Sequence, residues 1–256
     1  MSLPDEPGSI TPSWLIEVPL AHRGLHDEVR PENSLASFAA AVEAGYGVEL
    51  DVHVSADDQP VVTHDAQLSR MTGDGRAVGD LTAEELGRLR LNGSDEGVPH
   101  LADALEVLKD VPVMLELKTS RLRAGALEPG VAALVDEHPG PVCVASFNPV
   151  ALRWFRRNRP DVIRVLTATS VGLNGIAAPL LRRLAELRDL PTVAPAAVSY
   201  DILGLPHPAV QAWRDRGGAV VTWTVADEAA LAKARRFADN IIFECIRPEP
   251  GVPPST

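Results

Sequence analysis

The chain has 256 residues, a net charge of −11, 45% hydrophobic residues and only 4% aromatic residues. This length gives one large domain or two small ones, and the hydrophobic content is ample for a core of Ala, Val and Leu. The acidic balance disfavours a general binder of nucleic acid or of anionic membranes, because both need clustered Lys and Arg. A local cationic pocket remains compatible with this charge.

Targeting and redox signals are few. The sequence shows no basic region followed by an apolar stretch, and no apolar run reaches about 18 residues. We therefore expect a cytoplasmic protein without a transmembrane segment. Cys143 and Cys245 lie in apolar strand-like segments and are expected to be reduced core residues. The Pro/Gly/Ser-rich first dozen residues and the tail 247–256 are expected to be frayed or extended.

Short apolar runs alternate with helical stretches along the chain. Eight runs are predicted to be barrel strands, at 18–22, 48–51, 113–118, 142–146, 162–167, 192–198, 219–224 and 240–243. Helices are predicted between them at 34–44, 132–137, 150–157, 178–188, 208–216 and 227–237, the last with Asp227 as its N-cap. This alternation predicts an α/β fold, a (β/α)₈ TIM barrel with its functional groups at the C-terminal ends of the strands. The chain 1–256 is thus predicted to be a single barrel domain with its core at about 18–245.

The apolar run at 60–64 breaks the alternation. It follows the second strand after too few residues for a parallel crossover, so it is predicted to return antiparallel as a hairpin. A turn centred between Asp57 and Asp58 places His64 opposite Asp51. The segment 65–110 then becomes a small insertion between barrel strands two and three. Its predicted helices are at 82–89 and 101–108.

Three carboxylates stand at strand ends. Glu49 and Asp51 are two apart on a strand and project from the same face, and Glu116 ends the next barrel strand. Converging carboxylates repel one another unless a cation lies between them. One divalent cation, Mg²⁺ or Ca²⁺, is the expected occupant, because oxygen ligands suit it and no cysteine cluster invites zinc. The alternative is a salt-bridge network with Arg23 and Lys118.

His22 and His64 end two strands that flank these carboxylates. Imidazole titrates near neutrality, so the two rings can act as base and acid on opposite sides of a reacting centre. Arg23 and Lys118 supply positive charge, which suits the holding of a phosphate whose charge must be stabilised during transfer. Together with a divalent metal, these groups predict the cleavage of a phosphate ester.

The chain also resembles a known family over about residues 18–245. The resemblance rests on an ordered series of motifs: His22-Arg23-Gly24, Pro31-Glu32-Asn33-Ser34, Ala36-Ser37-Phe38, Glu49-Leu50-Asp51-Val52, Val61-Val62-Thr63-His64-Asp65, Leu68-Ser69-Arg70 with Thr72 and Gly75, Pro99 with Leu101, Glu116-Leu117-Lys118, Ser146-Phe147 and Trp223-Thr224-Val225. These motifs are similar to those of the glycerophosphodiester phosphodiesterases, which are (β/α)₈ barrels of the phosphatidylinositol-phospholipase-C-like type. Chance does not readily give this many motifs in order.

The resemblance implies roles for the residues already singled out. It implies that the three carboxylates bind the metal, that His22 and His64 are the general base and acid, and that Arg23 and Lys118 contact the phosphate. Glu32 resembles a position that supports the site, by orienting Arg23 or a ligand.

Three further residues carry alternatives. Trp223 resembles a family tryptophan that packs against glycerol, although a large apolar residue at a strand end also suits plain barrel packing. Asn33 either supports the site or caps the helix that begins at Ser34. Glu244 stands where the family usually has an aspartate, so it either replaces that aspartate with a longer reach or faces elsewhere.

The predicted function is metal-dependent hydrolysis of a glycerophosphodiester to an alcohol and sn-glycerol 3-phosphate. The family implies attack on phosphorus by a neighbouring substrate hydroxyl or by water. One alternative keeps the site but hydrolyses lysophospholipids as a lysophospholipase D, with the loop 169–181 contacting the acyl chain. Another is a non-catalytic barrel that binds a phosphorylated ligand. The expected partner is a small-molecule phosphodiester and not a nucleic acid; the leaving alcohol and the oligomeric state stay open.

Overall fold

The structure is a computed structural model that describes residues 11–119, 124–172 and 178–250. The expectation of frayed ends falls mostly on 1–10 and 251–256, which lie outside the described residues, as does the stretch 173–177 of the loop 169–181. No described helix is both long enough and apolar enough to cross a membrane.

Strands and helices alternate along the described chain. The strands are β1 Leu20–His22, β2 Gly47–Val54, β3 Pro60–Val62, β4 Val113–Leu117, β5 Val142–Ser146, β6 Ile163–Ala168, β7 Ala197–Asp201, β8 Ala219–Val225 and β9 Asn240–Phe243. The helices are α1 Ser13–Glu17, α2 Leu35–Glu43, α3 Ser69–Thr72, α4 Ala83–Arg88, α5 Leu101–Val107, α6 Leu127–Glu137, α7 Pro149–Asn158, α8 Ala178–Ala185, α9 Leu190–Val193, α10 Pro208–Arg214 and α11 Glu228–Phe237. Asp227 caps α11 as predicted, because its side chain accepts from the Ala230 amide.

Eight parallel strands of the described chain close into a ring. Neighbours follow the order β1, β2, β4, β5, β6, β7, β8 and β9, and β9 pairs with β1 again. The predicted (β/α)₈ barrel is therefore confirmed. Parallel strands need helical crossovers on the outside, and a large apolar cluster fills the layer between barrel and helices.

A second apolar cluster fills the barrel interior. It includes Met114, Cys143, Val165 and Val221, which come from strands around the ring. Trp14 of α1 belongs to the same cluster, so this short helix closes one end of the barrel. Because side chains alternate along a strand, residues two positions further along each strand point into the same interior but nearer the carboxyl ends. Those positions carry the polar site residues.

The hairpin is confirmed, but its register differs from the prediction by one residue. Val52 pairs with Val62, and the Thr63 amide donates to the Asp51 carbonyl at 3.0 Å. Thr63 and not His64 therefore lies opposite Asp51. The reason is the turn, which has three residues between Ser55 and Gln59 and ends with Asp58 in the left-handed region at φ 62°. A loop of odd length moves the centre of the hairpin by half a residue.

Two other expectations from apolar runs are wrong. The sixth barrel strand, β7, is Ala197–Asp201 and not 192–198, because Leu190–Val193 forms α9 with a proline in its first turn. A short apolar run does not by itself distinguish a buried helical turn from a strand. Cys143 is buried as expected, but Cys245 is exposed just beyond β9. Both thiols are free.

The segment 65–110 forms a satellite of the barrel with its own small core. This core includes Leu68, Met71, Leu81 and Leu86, and it shares Val61 with β3. The Val62 amide donates to the Pro99 carbonyl at 2.9 Å, which attaches the satellite to the hairpin. The insertion is thus held beside the carboxyl end of β2.

Candidate active site

Strand register brings the predicted site residues together. His22 of β1 is the register partner of Glu49 of β2, and Asp51 of β2 is the partner of Glu116 of β4. His22, Asp51 and Glu116 lie in the second half of their strands, and Glu49 lies level with His22, the last residue of β1. Parallel pairing therefore assembles side chains that are up to 94 positions apart in the chain, by the numbering of His22 and Glu116.

Glu49, Asp51 and Glu116 form an acidic triad that can hold a metal ion. Each offers a carboxylate oxygen, and these oxygens lie within 4.8 Å of one another. Glu49 and Asp51 are only 2% and 1% exposed. Burial, followed by repulsion from Asp51 and Glu116, raises the pKa of Glu49 well above its usual value. An all-oxygen donor set with excess negative charge fits a hard divalent cation.

Two basic side chains compensate part of this charge. The Lys118 Nζ atom lies 2.9 Å from Asp51 Oδ1 and 2.5 Å from Glu116 Oε1, and Arg23 Nε lies 3.4 Å from Asp51 Oδ2. Burial opposes a charged Lys118, but attraction by Glu116 and Asp51 outweighs it and raises the lysine pKa. The salt bridges expected under the alternative interpretation are therefore formed at Asp51 and Glu116. Within the described ranges neither basic side chain forms an ion pair with Glu49, whose Oε2 atom accepts only from the Arg23 backbone amide at 3.4 Å, so this buried carboxylate can bind a further cation.

Asn33 orients Asp51 and does not cap a helix. Its Nδ2 atom donates to Asp51 Oδ2 at 2.9 Å, and the residue is 2% exposed. Ser34 is the N-cap of α2, because its side chain accepts from the Ser37 amide. The capping alternative for Asn33 is thus wrong. Its backbone adopts φ 57°, a left-handed conformation that asparagine tolerates and that turns the amide toward β2.

His64 is held by its chain neighbour. Its Nδ1 atom lies 2.7 Å from Asp65 Oδ1, so the carboxylate accepts a hydrogen bond from Nδ1–H. The Nε2 atom is then the one that can exchange a proton with a substrate. His53 approaches from β2, with Nε2 3.1 Å from the His64 carbonyl. Burial is the main cause that lowers the pKa of His64, and attraction by the Asp51 carboxylate opposes this shift.

Glu244 binds the Nδ1 atom of His22, as Asp65 binds that of His64. Its Oε2 atom lies 2.8 Å from His22 Nδ1, and His22 Nε2 lies 3.9 Å from Glu49 Oε2. The hydrogen bond to His22 is the main cause that lowers the pKa of Glu244. Of the two alternatives for Glu244, the side chain therefore faces the site and does not face elsewhere. Strand alternation is the signal that could have found it, since Ile242, two positions earlier, points into the barrel.

The remaining predicted residues lie at the same mouth. Arg23 Nη1 donates to Glu32 Oε1 at 2.9 Å, which is the contact that an orienting role of Glu32 requires. Trp223 of β8 packs edge to face against Phe147 with ring centroids 5.6 Å apart, and it also contacts the interior cluster. Trp223 therefore has the packing role that the alternative gave it. Its contact with the glycerol part of a substrate stays a prediction.

Comparison with known proteins places this site in a family. Residues 22–243 match the model of the glycerophosphoryl diester phosphodiesterase family. A glycerophosphodiester phosphodiesterase of Caldanaerobacter subterraneus subsp. tengcongensis is 32% identical over 154 residues, which cover 56% of this chain and 63% of that relative. A lysophospholipase D of Homo sapiens is 33% identical over 114 residues, covering 40% of this chain and 36% of the relative. The matched part is therefore less than two thirds of the length of either relative.

A solved structure supports the same placement. A phosphodiesterase of Oleispira antarctica, in complex with its product sn-glycerol-3-phosphate, superposes with a TM-score of 0.73 at 27% identity. The superposition covers 88% of this chain and 93% of that protein. Because the family match runs from His22 at the end of β1 to Phe243 at the end of β9, it spans the whole barrel. The chain belongs to the glycerophosphoryl diester phosphodiesterase family.

Proposed function

We propose that this chain is a metal-dependent phosphodiesterase that hydrolyses glycerophosphodiesters to an alcohol and sn-glycerol 3-phosphate. One observation carries the proposal: an acidic triad with two buried members lies at the same barrel mouth as two imidazoles, and each imidazole has a carboxylate on its Nδ1 atom. Carboxylates in that position set the tautomer and orientation of a catalytic histidine. Family membership and the phosphodiesterase of known structure support the substrate class.

We propose that Glu49, Asp51 and Glu116 hold one divalent cation, Mg²⁺ or Ca²⁺. Such an ion, when bound, polarises a phosphoryl oxygen and offsets charge that develops during transfer. Arg23 and Lys118 border the triad, and the pKa of each is raised by its acidic neighbours despite burial. Both side chains stay positively charged at any physiological pH, so they bind phosphate oxygens electrostatically.

His22 and His64 are proposed to move the protons. His22 takes a proton from the attacking hydroxyl, of substrate or of water, at Nε2, while Glu244 accepts from Nδ1 and stabilises the imidazolium that forms. His64, in its imidazolium form, donates its Nε2 proton to the leaving alkoxide, while Asp65 accepts a hydrogen bond from Nδ1–H. Glu32 and Asn33 position Arg23 and Asp51. Trp223 packs against the glycerol part of the substrate.

Replacing Glu244 by Gln is expected to lower kcat by about 10-fold to 100-fold with little change in KM. The amide keeps the size of the side chain but does not stabilise an imidazolium at His22, and it can present an NH₂ group to Nδ1. Steady-state kinetics on glycerophosphocholine measure the effect. Glu249→Gln, an exposed glutamate of the same segment, is the matched control and should leave kcat unchanged. Activity of Glu244→Gln within twofold of wild type would contradict the role.

The substrate assignment is tested with glycerophosphocholine and lysophosphatidylcholine side by side. Release of sn-glycerol 3-phosphate from the first and of lysophosphatidic acid from the second is followed directly. We expect faster turnover of the short diester. Hydrolysis of neither, with retained binding of sn-glycerol 3-phosphate, would support the non-catalytic barrel instead.

A lysophospholipid is the second candidate substrate. The partial similarity to a human lysophospholipase D favours it, as do exposed apolar side chains that follow β6 and β7. These side chains are Val171, Leu180 and Leu203, which are 38%, 47% and 74% exposed. Preference for the long-chain substrate would reverse our ranking. The cytoplasmic location expected from the sequence stays a prediction.

A further inference from the structure

Arg70 contacts two carboxylates that each hold a proposed catalytic or phosphate-binding group. It lies in α3, within the insertion 65–110. Its Nη1 and Nη2 atoms donate to the two carboxylate oxygens of Glu32 at 2.9 and 2.7 Å. Its Nε atom donates to Asp65 Oδ2 at 2.5 Å. Three of its N–H groups thus bind two acids from different segments of the chain.

Each of these two carboxylates also accepts a hydrogen bond from a residue of the proposed site. Glu32 accepts from Arg23 Nη1 at 2.9 Å, and Asp65 accepts from His64 Nδ1 at 2.7 Å. A continuous chain of hydrogen bonds therefore runs from His64 through Asp65, Arg70 and Glu32 to Arg23. Its two ends come from the hairpin segment and from the loop after β1, and among the strands of the described residues no pairing joins β1 to β3 directly.

We propose that Arg70 is a positioning residue that fixes His64 and Arg23 relative to each other through these two carboxylates. The proposal rests on the proposed function, since it assigns a task to residues of that site. It gives the insertion a part in catalysis, because α3 carries the residue that joins the two sides of the phosphate position.

The chemistry of arginine suits this task. A planar guanidinium donates two parallel hydrogen bonds to one carboxylate and a third in the same plane to another, whereas an ammonium is a point charge without fixed directions. Burial acts to raise the pKa of both Glu32 and Asp65, but the hydrogen bonds from Arg70, with help from Arg23 and His64, outweigh it and lower both values. Both acids thus remain ionised acceptors.

Arg70→Ala is expected to lower kcat on glycerophosphocholine by about 10-fold to 100-fold, since small displacements of reacting groups have effects of this size. Arg70→Lys should recover only part of the loss. The matched control is Arg76→Ala, which removes an arginine of the same insertion that pairs with Asp74 and contacts neither Glu32 nor Asp65. That control should remain within twofold of wild type.

Double-mutant cycles separate positioning from a general structural effect. If Arg70 acts through Asp65, then Arg70→Ala has a smaller effect in an Asp65→Asn background than in wild type, and the same holds for Glu32→Gln. Losses that multiply independently in both backgrounds would overturn the proposal, and so would a fall in melting temperature without a fall in kcat.

A nitrogen NMR spectrum of the histidine rings gives a readout that does not need turnover. At a pH where the His64 ring is neutral, wild type should carry its proton on Nδ1, and Arg70→Ala should shift population to the Nε2 tautomer. Arg76→Ala should leave the spectrum unchanged. An unchanged His64 tautomer in Arg70→Ala overturns the proposal. If wild type hydrolyses no phosphodiester, the proposed function fails, yet the tautomer still decides whether Arg70 positions His64.

Discussion

Glu116→Ala is expected to lower hydrolysis by about 10³-fold or more, which amounts to its loss in a routine assay. The substitution removes one of three carboxylates whose oxygens lie within 4.8 Å of one another, so the remaining two bind a divalent cation weakly. It also removes one of the two acids that contact Lys118. Treatment of wild type with a chelator should have the same effect, reversed by added Mg²⁺ or Ca²⁺. Turnover of glycerophosphocholine and calorimetric titration with each ion measure both consequences.

The fold should survive this change. Lys118 keeps its contact with Asp51 at 2.9 Å, and the apolar interior cluster below the triad is untouched. Glu106→Ala is a suitable control, because it removes an exposed glutamate that pairs only with neighbouring Lys109 among the described residues. Full activity of Glu116→Ala, or of wild type after chelation, rejects the metal assignment.

His64→Ala is expected to lower kcat by about 10² to 10⁴-fold, the usual range for the loss of a general acid or base. The ring is the group that Asp65 holds beside the triad, and alanine leaves the leaving alkoxide without a proton donor. The loss should be much smaller with a p-nitrophenyl phosphodiester, because that leaving group departs without protonation. Comparison of kcat for the two substrates tests the acid role itself.

Substitution of a histidine outside the proposed site separates an effect on catalysis from an effect on folding. His100→Ala changes a histidine that precedes α5 and makes no capping hydrogen bond with its side chain, so it should retain wild-type kcat. An equal loss for both substrates in His64→Ala would show that His64 supports the structure of the site and is not the acid. A loss below twofold would remove it from the mechanism.

Local patterns in the sequence were sufficient for the barrel and for most site residues. The strands Val142–Ser146 and Asn240–Phe243 have the bounds that their apolar runs predicted, because each run is short, mostly buried and followed by polar or turn residues. Glu49 and Asp51 could be placed on one face from strand alternation alone. The hairpin followed from chain length, since too few residues were available for a parallel crossover.

Tertiary structure decided the finer contacts. A left-handed Asp58 moved the hairpin register so that Thr63 faces Asp51, and a left-handed Asn33 turned its amide to the triad instead of to α2. Backbone conformations of this kind depend on packing that no local pattern reports.

The sequence by itself therefore determined which residue types stand at the carboxyl ends of the strands, and hence the class of reaction that we propose. Closure of the barrel determined which of them touch. Glu244 contacts His22 across 222 positions because β9 pairs with β1, and Arg70 joins Glu32 to Asp65 because the insertion folds back beside the hairpin. The physical reason is that periodicity encodes the direction of a side chain, whereas its partner is set by which strands and loops become neighbours when the sheet closes.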